Sequence, residues 1–152
     1  MLAIRIRGGV NASVEVEDTL KMLRMERNNA ATILDDRPEY FGMLQKAKDR
    51  ITWGEPTTET IRLLLEKRGR TIGDRRINDE SLRSLGFEGL DAVALDLYSC
   101  KLAFNKLNGV KPFFRLHPPS GGFKRTVKRP WEARGELGYR GKAINELAKR
   151  MC

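Results

Sequence analysis

At 152 residues and 40% hydrophobic side chains, the chain is long enough for one domain with a real core, held without disulfides or a metal. Its 29 basic against 20 acidic side chains leave a formal charge of +9 and a pI near 9.9, a balance that points to a polyanionic partner. No apolar run reaches the roughly 18 residues a bilayer span requires, which sets the membrane aside as that partner.

Leu2, Ile4 and Ile6 alternate with Ala3, Arg5 and Arg7, the period of a half-buried strand that Gly8-Gly9 ends. Charges break this run at once, so it is no signal-peptide core. Residues 16–27 read as a helix. Val16, Leu20 and Leu23 form its apolar stripe, and acidic Glu15, Glu17 and Asp18 precede basic Lys21, Arg24 and Arg27 as the helix dipole favours. Residues 30–34 form a short buried strand. Asp35-Asp36-Arg37-Pro38 stops it and starts a second helix, through Phe41, Leu44 and Ala47 to about residue 49. Residues 50–54, with Trp53 on one face, read as a third strand.

Strand–helix–strand–helix–strand in so few residues predicts an α+β fold, a small ferredoxin-like three-stranded sheet with both helices on one face. Leu20, Leu23, Ile33, Leu44 and Ile61 are expected to be buried together. A third helix over 57–68 ends at Gly69, read as a C-terminal cap. A loop follows over 69–76, then a short helix over 78–86 and a less regular helix over 91–106. Pro112 confines the strand-like 111–116 to an edge or a strand start. Residues 117–141 show no periodicity and are punctuated by glycine and proline. Residues 142–151 regain helical spacing. The expected organisation is therefore a core over 1–56, a helical extension with a final strand over 57–116, and a basic irregular arm over 117–152.

Charge follows that division. Residues 1–110 are nearly neutral, with 18 basic and 17 acidic side chains, whereas 111–152 hold 11 basic and three acidic ones. Phosphate neutralisation supplies most non-specific affinity for nucleic acid, so a neutral body with a basic arm predicts an RNA-binding protein. In the arm, Lys124, Arg125, Lys128, Arg129, Arg134 and Arg140 are the candidate phosphate contacts. Phe123, Trp131 and Tyr139 could stack on unpaired bases, or could pin the arm to its own core. With so few apolar residues, the arm is expected to order on its RNA. Lys67, Arg68, Arg70, Arg75 and Arg76 form a second basic cluster, and Arg115 and His117 lead into the arm. Lys46, Lys48 and Arg50 equally suit dipole compensation at a helix end.

Enzymatic chemistry finds no support. A phosphate-binding G-x-x-x-x-G-K-[ST] is missing, and Gly8, Gly9, Gly121 and Gly122 are too sparse for a dinucleotide fingerprint. Asp35-Asp36 is placed to cap a helix. His117 is the only histidine and has no nearby carboxylate in sequence; hydrogen bonding or stacking on RNA, or local packing, are its readings. Cys100 and Cys152 lack zinc spacing and are expected as thiols in the cytoplasm. No cofactor, metal or small-molecule substrate is expected.

Four stretches then resemble a known family: Asp18-Thr19-Leu20-Lys21-Met22-Leu23-Arg24, Tyr40-Phe41-Gly42-Met43-Leu44-Gln45-Lys46-Ala47-Lys48-Asp49, Ile51-Thr52-Trp53-Gly54-Glu55, and Phe114-Arg115-Leu116-His117-Pro118-Pro119-Ser120-Gly121-Gly122-Phe123. Together with Gly138-Tyr139-Arg140-Gly141 they resemble the L-thirty family of large-subunit ribosomal proteins, in its long archaeal and eukaryotic form. Short bacterial members resemble only about residues 1–54. The resemblance implies a structural, non-enzymatic constituent of the cytoplasmic ribosome. Its expected partners are large-subunit RNA, close to the 5S RNA, and neighbouring ribosomal proteins. A free RNA-binding assembly or accessory factor is the alternative. The chain departs from the family at 99–109, where Leu102, Ala103, Phe104 and Leu107 leave the role of the stretch open.

Overall fold

A computed structural model describes residues 1–152. The first part follows the predicted order: β1 (Leu2–Arg5), α1 (Val14–Met22), β2 (Ala30–Ile33), α2 (Pro38–Lys46) and β3 (Ile51–Gly54). β1 lies between β2 and β3 and is antiparallel to both, with Ala3 opposite Thr32 and Trp53. α1 ends early, at Met22. The amide of Met25 donates to the Leu20 carbonyl and that of Arg24 to Lys21, with Arg24 left-handed at φ 58°. This is the closing pattern usually made with glycine. α2 starts with Pro38 in its first turn, as the sequence predicts, but its N-cap is Arg37 with no side-chain cap bond; Asp35, expected with Asp36 to cap the helix, pairs with Arg37 instead.

Three further helices follow: α3 (Thr58–Arg68), α4 (Asp79–Ser84) and α5 (Leu90–Tyr98). Thr57 caps α3 by accepting from the Thr60 amide at 3.3 Å. Gly69 ends it at φ −62°, so handedness is not what calls for glycine there. A Cβ at Gly69 would overlap the Leu65 carbonyl and Ile77 instead. The helix expected over 91–106 is cut at Tyr98, where Cys100 turns left-handed and the Lys101 amide returns to the Asp96 carbonyl. The apolar stretch beyond serves the core, with Phe104 buried and stacked on Phe114 at 4.9 Å.

The last segments are β4 (Phe114–Arg115), β5 (Thr126–Pro130), β6 (Gly135–Tyr139) and α6 (Ile144–Met151). They enlarge the expected three-stranded sheet to six strands in the order β4-β2-β1-β3-β6-β5. β6 runs parallel to β3, and β5 lies outermost on β6 with an irregular register between Thr126 and Pro130. The arm is thus not irregular throughout. Its missing periodicity has a physical source: β5 is exposed nearly all along, whereas β6 is buried on both sides up to Gly138. Gly135 allows the two to meet, since any Cβ there would overlap the backbone of Arg129.

The sheet divides the core in two. α1 and α2 cover one face, where Leu20, Leu23, Leu44, Ala47, Ile51 and Trp53 pack on Ala3. The other face, with Leu2, Ile4, Ile6 and Ile33, is covered by α3, α5, α6 and Phe104. The five residues expected in one core are all buried, but Ile33 and Ile61 lie across the sheet from Leu20, Leu23 and Leu44. Leu44→Ala and Ile61→Ala should each cost about 2–5 kcal/mol in chemical denaturation. With the sheet between them, their effects should add to within about 0.5 kcal/mol.

Candidate nucleic-acid interface

The arm is built around a buried ion pair. Glu136 and Arg140, one helical-turn distance apart in sequence but on a strand and its exit, meet at 2.5 Å with both side chains almost fully enclosed. Arg140 Nε also donates to Thr52 Oγ1 at 2.8 Å, and that hydroxyl donates to the Gly138 carbonyl. The other Glu136 oxygen accepts from the Arg125 amide. Burial pushes the Arg140 guanidinium down, and the Glu136 carboxylate beside it pushes it back up. Arg140 is therefore corrected from a phosphate contact to a strut inside the arm. It also lies over the Trp131 ring at 4.5 Å, as Arg125 does at 4.2 Å.

Around this strut the charges differ in availability. Lys128 and Arg129 stand exposed on β5, and Arg134 stands exposed at φ 57° in the turn into β6; none of the three is ion-paired. Half-buried Trp131 and exposed Tyr139 line one hollow together with Lys48 of the α2 end. Tyr139 donates to Glu55 at 2.8 Å, which raises the tyrosine above its ordinary pKa. Lys124 is paired with Glu146, lowering that carboxyl. Phe123 packs on the large core cluster, so of the two readings open to it the structure favours the anchor.

His117 Nδ1 lies 2.6 Å from the Pro118 carbonyl, which can only accept, so Nδ1 carries a proton and the ring is held to its own chain. Arg150, unmarked in the sequence analysis, fastens the Gly121-Gly122 turn by donating to Ser120 and Gly122 carbonyls.

The second basic cluster runs from the last turn of α3, with Lys67 and Arg68, into a loop closed by a bridge between Arg70 and Arg76. Lys67, Arg75 and Arg76 are exposed and Arg70 half-buried. Arg68 is turned inward, donating to the Cys152 carbonyl at 2.9 Å. Arg115 is exposed, lies 5.7 Å from the Phe113 ring, and reaches Asp74 at 3.5 Å. Asp74 is held below the usual carboxylate range chiefly by its hydrogen bond from Lys111. Of the remaining basic residues near the α2 end, Lys46 pairs with Glu15, and buried Arg50 donates to Gly8.

Sequence reasoning missed Arg5, which is 1% exposed on the α1–α2 face of the sheet. It pairs with Glu17 at 2.8 Å and donates to the carbonyls of Arg7, Met25 and Glu26. A strand alternation assigns such an arginine to solvent.

Comparison with known proteins matches residues 1–51 to a family model described as ribosomal protein L30p/L7e. The chain is similar over nearly its whole length to the large ribosomal subunit protein uL30 of Staphylothermus marinus, at 50% identity over 97% of this chain and 95% of the relative. The protein of that name in Methanopyrus kandleri is 43% identical over 96% and 99%, and the one in Thermofilum pendens 44% identical over 99% and 97%.

Proposed function

The chain belongs to the L30p/L7e family of ribosomal proteins, and from that premise we propose that it acts as a structural constituent of the large ribosomal subunit, holding ribosomal RNA. It is not an enzyme, and its place is the cytoplasmic ribosome. Its partners are ribosomal RNA and neighbouring ribosomal proteins. On the family resemblance we further propose a seat near the 5S RNA.

One observation carries the assignment of the contact surface: the outermost strand and its turn hold Lys128, Arg129 and Arg134 exposed and unpaired, beside Trp131. Lys67, Arg75, Arg76 and Arg115 are the proposed body contacts. Lys124, Arg125 and Tyr139 are proposed at the rim, while Arg68, Arg70, His117, Phe123 and Arg140 support the surface from within. The proposed division of labour keeps 1–56 as the core, 57–116 as the extension and 117–152 as the main RNA-binding segment.

Co-sedimentation with purified large subunits in high salt tests the constituent role, since a transient factor would wash off. The surface itself is tested by Lys128→Ala with Arg129→Ala, binding a large-subunit RNA fragment across a salt series. The log–log slope should flatten by roughly 1.5 units with thermal stability unchanged. Parallel lines, or a loss of stability without a change of slope, would mean that this strand does not meet phosphate.

A further inference from the structure

At the margin of the sheet opposite β5, a groove of about 380 Å³ is lined by Arg24, Arg27, Phe113 and Arg115, with Glu26 and Asn28 among its walls. We propose that this groove is a second RNA site, which takes an unpaired nucleotide while the neighbouring phosphates lie along the three arginines. The proposal rests on the chain being an RNA-binding protein, but it uses none of the residues on the outermost strand.

Three features carry it. Arg24 closes α1 at φ 58°, a position where glycine is the favoured residue and any larger side chain is disfavoured. A disfavoured conformation held at an exposed arginine, facing a groove, points to a use for that side chain. Arg24 and Arg27 are both exposed and neither is in an ion pair; Arg115 has only the exposed Asp74, already shared with Lys111. The groove therefore keeps a positive excess against the single carboxylate of Glu26.

The second feature is the planar pair of Phe113 and the Arg115 guanidinium, 5.7 Å apart, on which a base can stack. Unpaired bases reach such surfaces, whereas paired RNA hides its base faces. The third is rigidity. The buried Arg5 holds the carbonyls of Met25 and Glu26 at 2.9 and 2.8 Å, which fixes the loop presenting Arg24 and Arg27. Six strands lie between the margins, about 24 Å at ordinary strand spacing. The two surfaces thus engage separate RNA segments.

The test uses the full chain and two probes: a single-stranded oligoadenylate carrying one central 2-aminopurine, and a fully paired duplex of the same length. Phe113→Leu should weaken binding of the single strand about tenfold and remove the quenching of 2-aminopurine that marks stacking. Arg24→Gly should raise the melting temperature while weakening the same binding several-fold and flattening its salt slope by about 0.7. That combination is not produced by a damaged fold. Neither variant should alter duplex binding, which Lys128→Ala with Arg129→Ala should reduce. Unchanged single-strand binding in both groove variants overturns the proposal. So does an equal loss for strand and duplex, which would make the groove a plain electrostatic surface. If the unaltered chain binds neither probe, the RNA-binding reading falls along with the groove.

Discussion

Arg5→Leu is expected to lower the unfolding free energy by about 3–5 kcal/mol, measured by chemical denaturation. The side chain is 1% exposed and spends its donors on one carboxylate and three carbonyls. Leucine would match the apolar surroundings but leave those carbonyls without partners, and buried acceptors without donors are costly. Glu17 is partly exposed and can regain water, so the carbonyls dominate the loss. Arg5→Lys should lose nearly as much, because a compact ammonium cannot span a fork-shaped set of acceptors. A drop below about 1 kcal/mol for both variants would show that the loop after α1 does not depend on this arginine.

Glu136→Ala should cost a similar 3–5 kcal/mol, for a different reason. Here the survivor is a charge: Arg140, with 3% of its side chain exposed, would remain buried without its carboxylate. The Arg125 amide would lose its acceptor as well. The double variant Glu136→Leu with Arg140→Leu removes both charges, and should recover most of the loss, since buried pairs replaced together by apolar groups are often neutral. Hydrogen exchange should locate the effect of Glu136→Ala in 125–140, with α1 and α2 left as slow as before. A further readout separates strut from contact: Arg140→Leu should shift stability while leaving the RNA salt slope in place.

The strand–helix order of residues 1–54 was legible because the helices carry apolar stripes and short apolar runs between turn residues mark the strands. Val16, Leu20 and Leu23 needed only one apolar stripe to be found, and Pro38 marked the start of α2. What the pattern could not show is how many layers the sheet would carry. Leu2, Ile4 and Ile6 look like the buried side of a half-exposed strand, but Ala3 and Arg5 are buried as well, because helices cover both faces. The arm was misjudged for a related reason. Its glycines read as punctuation of an aperiodic segment, yet Gly135 admits the protein's own Arg129 backbone. Glu136, one of three acidic residues among so many basic ones, was the available sign that part of the arm turns inward. Arg24 left no sign at all, since left-handed backbone at a non-glycine position is set by the hydrogen bonds that close α1.

The cover of the second sheet face has a consequence for synthesis. Leu2, Ile4 and Ile6 leave the translating ribosome first, but every helix that covers them comes after residue 57. The last of these, with Ile144, Leu147 and Met151, lies at the far end of the chain. At about 5–20 residues per second, the nascent protein shows a bare apolar sheet for on the order of 5–20 seconds. β3 waits as long for β6, its parallel neighbour, which is some 86 positions away. The closing segment is also the most basic, so the chain becomes fully folded only as its polyanion-seeking charge emerges. A copy cut short near residue 110 would be sticky and nearly neutral, with 18 basic and 17 acidic side chains, unfit for both solution and ribosome, and its exposed strand edge alone would mark it for quality control.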